Sequence, residues 1–199
     1  MHNIPVVMAT QHPDNASPIY FHNSAFLDTN TEIEECYRMF ADLGCDEYMW
    51  DWEGKFVDEA VVDKLFRNYA EFFKQHQLGK DIRLTFRIPN IWNESQHRLI
   101  KAFMTIISAS IFAQKHDFYH APIFEVILPM TESSDQLIYL FDTFRKSVAF
   151  HKEVFGIDVP IEQISIIPLI EKTEQLMDVS HLLDEYVLQL EKMFSYSPE

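Results

Sequence analysis

The stretch IFEVILP at residues 123–129, followed by a polar break and a long segment at 133–155, decides the fold. The first run is short and almost entirely apolar, which predicts a buried strand. In the second segment, apolar residues recur at helical spacing from Leu137 to Phe144, and Ser133 and Ser134 are candidate helix caps. The stretch therefore predicts one strand followed by one helix.

The same alternation of short apolar runs and longer amphipathic segments extends in both directions along the chain. We expect Gly44 to end the first helix and Asp58 to cap the second. Trp50 and Trp52 are predicted to face opposite sides of a strand, one in the core and one beneath a helix. The remaining strands are predicted at 6–10, 47–52, 83–88 and 164–170, and the remaining helices at 31–43, 58–77, 94–115 and 173–194.

Strands that alternate with helices predict an α/β protein with a parallel sheet. No GxGxxG or Walker sequence follows any predicted strand, which argues against a nucleotide-binding Rossmann fold. We therefore favour a TIM-type (β/α) barrel, a fold that needs eight strands and about 250 residues. Five βα units in 199 residues would make an incomplete barrel, and an open doubly wound sheet is the alternative.

Composition narrows the class of partner. The net charge of −15 disfavours nucleic acid and anionic membrane surfaces, although a pocket can still be locally cationic. No signal peptide or long apolar span is present, so a cytoplasmic protein is expected. Cys36 and Cys45 lack the spacing of a zinc site or a disulfide framework, and we expect both to be small apolar residues on or just after a helix.

Polar residues follow each predicted strand, at the end where α/β proteins place their functional groups. A histidine, an arginine, a lysine and several carboxylates suit a divalent cation together with an anionic, oxygen-rich substrate. These residues lie at 10–15, 50–55, 87–90, 129–132 and 171–172.

Each candidate also has a structural alternative. His12 is either catalytic or a turn cap, and Arg87 is either a substrate anchor or a structural ion pair. Glu171 follows an apolar strand, where an isolated carboxylate at a buried rim needs a cation. Asp51 and Glu53 compete with Glu171 for the role of metal ligand.

Four segments resemble the archaeal-type phosphoenolpyruvate carboxylase family. They are TQHPDN at 10–15, DEYMWDWEGK at 46–55, RIPN at 87–90 and FEVILPMT at 124–131. The likeness spans essentially all of residues 1–199, but family members are much longer, so the chain is expected to be the N-terminal part of a single barrel domain. The family's second metal carboxylate and its glycine-rich phosphate loop have no counterpart here, so part of the active site is expected beyond Glu199.

The resemblance implies a TIM-type barrel, a homotetramer, Mg²⁺ or Mn²⁺, and the conversion of phosphoenolpyruvate and bicarbonate into oxaloacetate and phosphate. By likeness to motifs of the larger plant and bacterial carboxylases, it implies a catalytic role for His12, a catalytic and substrate-binding role for Arg87, and a metal-binding role for Glu171. Asn15 and Lys55, in the matching motifs, are the further predicted substrate-binding residues. Gln11 and Lys172 depart from those motifs, beside His12 and Glu171 respectively.

Two other functions compete with carboxylation. A metal-dependent lyase or aldolase of the pyruvate family also places a metal-binding glutamate after an apolar barrel strand, but lacks the long match around Trp50 and Trp52. A non-catalytic piece of a split enzyme is the other alternative, because five strands would leave an open sheet edge.

Overall fold

A computed structural model describes residues 4–9, 29–54 and 57–197, and shows a five-stranded parallel sheet with helices between the strands. The strands are β1 (Met8–Ala9), β2 (Glu47–Asp51), β3 (Arg83–Arg87), β4 (Glu125–Leu128) and β5 (Ser165–Pro168). The helices are α1 (Thr29–Ala41), α2 (Val61–Asn68), α3 (Ala70–Gln75), α4 (Gln96–Lys115), α5 (Ser134–Phe155), α6 (Thr173–Met177) and α7 (Val179–Phe194). The predicted α/β class and parallel sheet are confirmed.

Strand order in the sheet follows chain order, β1-β2-β3-β4-β5, and every pair is parallel. A doubly wound sheet reverses its strand order at a switch point, and this sheet has no such reversal. Among the described residues the sheet is open, with β1 and β5 at its edges. The expected incomplete barrel therefore stays a prediction.

One face of the sheet carries the hydrophobic core. Phe86 pairs in register with Trp50 on one side and Val126 on the other, and all three side chains are fully buried. The helices pack on this face, as the contact between Phe40 of α1 and Tyr48 of β2 shows. Aromatic residues supply much of the buried area, which agrees with the phenylalanine-rich composition.

The opposite face of the sheet carries paired polar side chains. Thr85 donates a hydrogen bond to Glu47, 2.5 Å away, and Arg83 forms an ion pair with Glu125 at 2.9 Å. Because alternate residues of a strand point to opposite faces, this polar face is distinct from the helix-covered core.

The two tryptophans do not face opposite sides, so that expectation is wrong. Residues two apart on a strand point the same way, and both Trp50 and Trp52 are buried. The Trp52 ring lies 5.7 Å from the ring of Phe86, the register partner of Trp50.

Two of the predicted helices are each divided into two. The helix predicted at 58–77 breaks at Tyr69, whose ring stacks on Tyr37 of α1 with 3.8 Å between centroids. Packing between helices thus interrupts a continuous helical pattern. The helix predicted at 173–194 breaks at Asp178, between α6 and α7.

The predicted caps also differ from the structure. Asp58 accepts a hydrogen bond from the Ala60 amide at 2.8 Å, one turn before α2 begins. Ser133 occupies the N-cap position of α5 in extended backbone, but its side chain makes no capping hydrogen bond. The Ser134 hydroxyl instead donates to Glu185 of α7 at 3.1 Å.

Other expectations are confirmed. Gly44, with φ of +64°, follows the end of α1, and the thiols of Cys36 and Cys45 are free and buried. No helix in the described part of the chain has the length and apolar character needed to cross a bilayer.

Candidate active site

The carboxyl ends of the parallel strands lie together at one end of the sheet, where the site is predicted. Three of the predicted site residues fall outside the described residues. His12, Asn15 and Lys55 belong to this group, and their predicted roles stay predictions. Arg87 closes β3 and Glu171 follows β5. The described part of the site is therefore built around Arg87.

Asp51 holds Arg87 across the sheet. The two residues are register partners at the ends of β2 and β3, which brings their side chains together on one face. Arg87 Nε donates to Asp51 Oδ1 at 2.8 Å, and Nη2 donates to Oδ2 at 2.6 Å. This hydrogen bonding raises the pKa of Arg87 above its usual value. Arg87 is thus a fixed cation at the sheet edge.

Asp51 is the buried member of this pair. Its side chain is 1% exposed, against 27% for Arg87. Its Oδ1 also accepts a hydrogen bond from the backbone amide of Glu53 at 3.0 Å. A buried carboxylate is stable only when it is paired in this way, so Asp51 serves as the anchor of the site.

Glu53 is the second carboxylate beside Arg87. Its Oε2 lies 3.3 Å from Arg87 Nε. Burial raises the pKa of Glu53 most strongly, the charge of Arg87 lowers it, and the negative charges of Asp51, Glu94 and Glu171 raise it further. The net effect is a pKa above the usual value for glutamate.

Glu94 and Arg98, which sequence analysis did not select, clamp the turn after β2. The Gly54 amide donates to Glu94 Oε2 at 3.2 Å, and Arg98 donates both to Glu94 and, at 2.5 Å, to the carbonyl of Trp52. The only sequence signal was the four-residue spacing of a glutamate and an arginine near the start of α4. Their clamp fixes the backbone on both sides of Glu53.

Asn90 connects the loops after β3 and β4. This buried side chain donates to the Pro129 carbonyl at 2.9 Å and accepts from the Trp92 amide at 3.0 Å. The Thr131 amide then donates to the Leu169 carbonyl at 3.0 Å, which joins the next pair of loops. The edge that carries Arg87 is therefore braced by hydrogen bonds from β3 to β5.

Glu171 is exposed, so the expectation of a buried carboxylate at this position is wrong. No described element covers it beyond β5, which lies at the edge of the sheet. Its charge nevertheless acts on both Glu53 and Arg87. The neighbouring Lys172 forms an ion pair with Glu132, and this pair links the loops after β4 and β5.

A metal site is not complete among residues 4–9, 29–54 and 57–197, since no group of three or more histidine, cysteine or acidic side chains is placed to bind one. Glu171 offers carboxylate oxygens, the ligand type that Mg²⁺ and Mn²⁺ prefer. Asp51 is committed to Arg87, which leaves it less suited to the role of ligand.

Comparison with known proteins identifies the family. A family model described as phosphoenolpyruvate carboxylase matches residues 4–196. The chain is 43% identical to the phosphoenolpyruvate carboxylase of Oenococcus oeni over 189 residues, covering 92% of this chain and 37% of that protein. It is 40% identical to that of Leuconostoc mesenteroides, covering 98% and 39%, and 39% identical to that of Pyrococcus furiosus, covering 97% and 43%. The chain spans about two-fifths of the length of these relatives. It belongs to the phosphoenolpyruvate carboxylase family.

Proposed function

We propose that this chain forms part of an enzyme that converts phosphoenolpyruvate and bicarbonate into oxaloacetate and phosphate. The observation that carries the proposal is the family match across residues 4–196, with relatives at about 40% identity that bear this name. The fixed cation Arg87, in a braced edge of the sheet, suits an anionic substrate.

The proposed fold is the first part of a TIM-type barrel, with residues 1–199 contributing to a single barrel domain. Sequential strand order supports it, because a barrel is wound in one direction without a reversal. The polar face, with the pair formed by Arg83 and Glu125, would then line the barrel interior.

Arg87 is the proposed anchor for the phosphate or carboxylate of the substrate. Asp51 accepts hydrogen bonds from Nε and Nη2, whereas Nη1 donates none to the described residues. Arginine can therefore present its remaining N–H groups to an anion while Asp51 keeps the guanidinium in place. Asn15 and Lys55 are proposed as further substrate-binding residues.

Glu171 is the proposed ligand of Mg²⁺ or Mn²⁺, with the other ligands supplied from outside the described residues. A bound divalent cation would neutralise the negative charge that develops on the substrate during the reaction. The charge of Glu171 contributes to raising the pKa of Arg87, which is compatible with one substrate contacting both groups.

In the proposed reaction, bicarbonate attacks the phosphate of phosphoenolpyruvate and yields carboxyphosphate and the enolate of pyruvate. Carboxyphosphate then splits into CO₂ and inorganic phosphate, and the enolate captures the CO₂ to form oxaloacetate. Arg87 would hold the anion throughout, and His12 would stabilise charge on the phosphate side. Exclusion of water would keep the enolate from being protonated to pyruvate.

A homotetramer in the cytoplasm is the proposed setting. The homotetramer follows from the family resemblance, and a reducing compartment such as the cytoplasm suits the free thiols of Cys36 and Cys45. The net charge of −15 argues against nucleic acid as a partner.

Oxaloacetate formation tests the proposal directly. The assay supplies phosphoenolpyruvate, bicarbonate and Mn²⁺, and couples the product to NADH oxidation through malate dehydrogenase. Two proteins are compared: the 199-residue chain, and a hybrid in which it replaces the matching segment of the Oenococcus oeni relative. We expect turnover from the hybrid and none from the short chain.

Substitutions in the hybrid assign the roles. His12→Asn and Arg87→Gln should abolish turnover without unfolding the protein. Glu59→Gln is the control, since it alters an exposed carboxylate paired with Lys101, and it should leave turnover unchanged. A folded hybrid that consumes no phosphoenolpyruvate but cleaves a 2-oxo acid would favour the lyase alternative. A folded hybrid with neither activity would favour the non-catalytic one.

A further inference from the structure

Two carboxylates contact Arg87, and they hold it unequally. Asp51 makes two short hydrogen bonds, at 2.8 and 2.6 Å. Glu53 approaches Nε at 3.3 Å as an ion pair only, since the Nε hydrogen already points to Asp51. Asp51 is thus a permanent partner, while the side chain of Glu53 is held by charge alone.

The backbone of Glu53 is fixed even though its side chain is not. Its amide donates to Asp51, and the flanking residues Trp52 and Gly54 are tied to Arg98 and Glu94. The side chain is 23% exposed and can rotate toward solvent. Rotation about side-chain bonds is therefore the motion open to Glu53.

The carboxylates around Glu53 repel its negative charge, and Arg87 attracts it. Asp51, Glu94 and Glu171 all act on it with negative charge, and Arg98 is already paired with Glu94. Within the described residues, Arg87 is the group whose charge lowers the pKa of Glu53 and attracts its carboxylate. An anion bound at the remaining N–H groups of Arg87 would repel Glu53 and send it outward, away from the buried Asp51.

We propose that Glu53 is a specificity-determining residue: a resident counter-ion of Arg87 that a substrate anion, arriving at the remaining N–H groups of Arg87, must drive outward by charge repulsion. Glu53 then weakens anion binding in general and favours ligands that offer Arg87 more negative charge than one carboxylate. A phosphate ester carries a second negative charge and meets this requirement. The inference rests on the proposed role of Arg87 in substrate binding.

Titration of the hybrid with phosphoenolpyruvate, in the presence of Mn²⁺ and without bicarbonate, is measured by calorimetry and tests the proposal without any need for turnover. Glu53→Gln keeps the shape of the side chain and removes its charge. We expect its affinity for phosphoenolpyruvate to rise by about two- to fivefold, the range appropriate to a partly exposed charge pair. Glu59→Gln is the matched control, since it neutralises another ion-paired carboxylate, and it should leave the affinity unchanged.

Two further measurements separate displacement from a structural effect. Adding Arg87→Gln to Glu53→Gln should abolish the gain, because the competition takes place at Arg87. Lowering the pH should bring the affinities of the wild type and Glu53→Gln together, because a protonated Glu53 no longer competes with the anion. The ratio of the two affinities cancels the titration of the ligand itself.

The outcomes are distinct. A gain in Glu53→Gln that needs Arg87 supports the proposal, including the case in which the wild type shows no measurable binding. An affinity equal to that of the control, a weaker affinity, or no binding by any variant overturns it. If Glu53→Gln does not fold, Glu53→Asp, whose shorter side chain withdraws the carboxylate, must give a smaller gain in the same direction. The oxaloacetate assay on the hybrid decides the proposed function separately.

Discussion

Breaking the pair between Asp51 and Arg87 should cost more stability than breaking any exposed ion pair of this chain. Loss of one partner from a buried pair costs about 3–5 kcal/mol. Because Asp51 is 1% exposed but Arg87 is 27% exposed, we expect about 3 kcal/mol for Asp51→Asn and about 2 kcal/mol for Arg87→Gln. The double variant should lose about 3 kcal/mol rather than the sum, which gives a coupling energy of about 2 kcal/mol.

Urea unfolding measures these free energies, and the fluorescence of Trp50 and Trp52 on either side of Asp51 reports the transition. The pair formed by Glu59 and Lys101 is the control, because both side chains are more than half exposed, at 53% and 58%. Its coupling should be below about 0.5 kcal/mol. A coupling energy between Asp51 and Arg87 as small as this control would refute the role of Asp51 as a buried anchor.

Three other positions give predictions for the same unfolding assay. Gly79→Ala should cost about 3 kcal/mol or more, since a Cβ there would lie 1.9 Å from the Ala121 carbonyl oxygen and φ is +82°. Gly44→Ala is the control: its φ is +64° but the space around it is open, so it should cost only about 1 kcal/mol. Equal costs would contradict the steric argument. Asn90→Ala should cost about 2–3 kcal/mol by leaving buried backbone groups unsatisfied, and a cost below about 0.5 kcal/mol would show that the loops do not need it. Burial raises the pKa of Glu35, so the folded protein binds a proton at Glu35 more tightly than the unfolded chain does. The free energy of unfolding therefore falls as the pH rises through the pKa of Glu35 in the folded protein. Glu35→Gln should therefore be more stable than the wild type at pH 7 and equal to it below about pH 4, whereas an advantage independent of pH would argue against burial as the cause.

Strand positions could be predicted closely from the sequence, whereas helix interruptions could not. The run at 123–129 is apolar and short, and the structure places β4 at Glu125–Leu128 inside it. The break at Tyr69 has no local signal such as glycine or proline, because it arises where the ring of Tyr69 stacks on Tyr37, thirty-two positions earlier in the chain.

In the candidate site, too, single residues could be selected from the sequence, but the contacts between them could not be predicted. Arg87 could be selected because a charged residue at the end of an apolar strand is conspicuous. The sequence could not decide whether it is a substrate anchor or part of a structural ion pair. The register between β2 and β3 decides that Asp51 lies opposite it, and register is a property of the folded sheet. The reach of Arg98 to the Trp52 carbonyl depends in the same way on where α4 packs.

The agreement between strand order and chain order has a consequence for synthesis. Each strand pairs with the strand made just before it, so a newly emerged βα unit finds its partner already in place. Within the five described strands, each later strand finds its neighbour already made, and the entropy lost in closing each crossover stays modest. We infer that this part of the protein can fold from its beginning onward, one unit at a time, during translation.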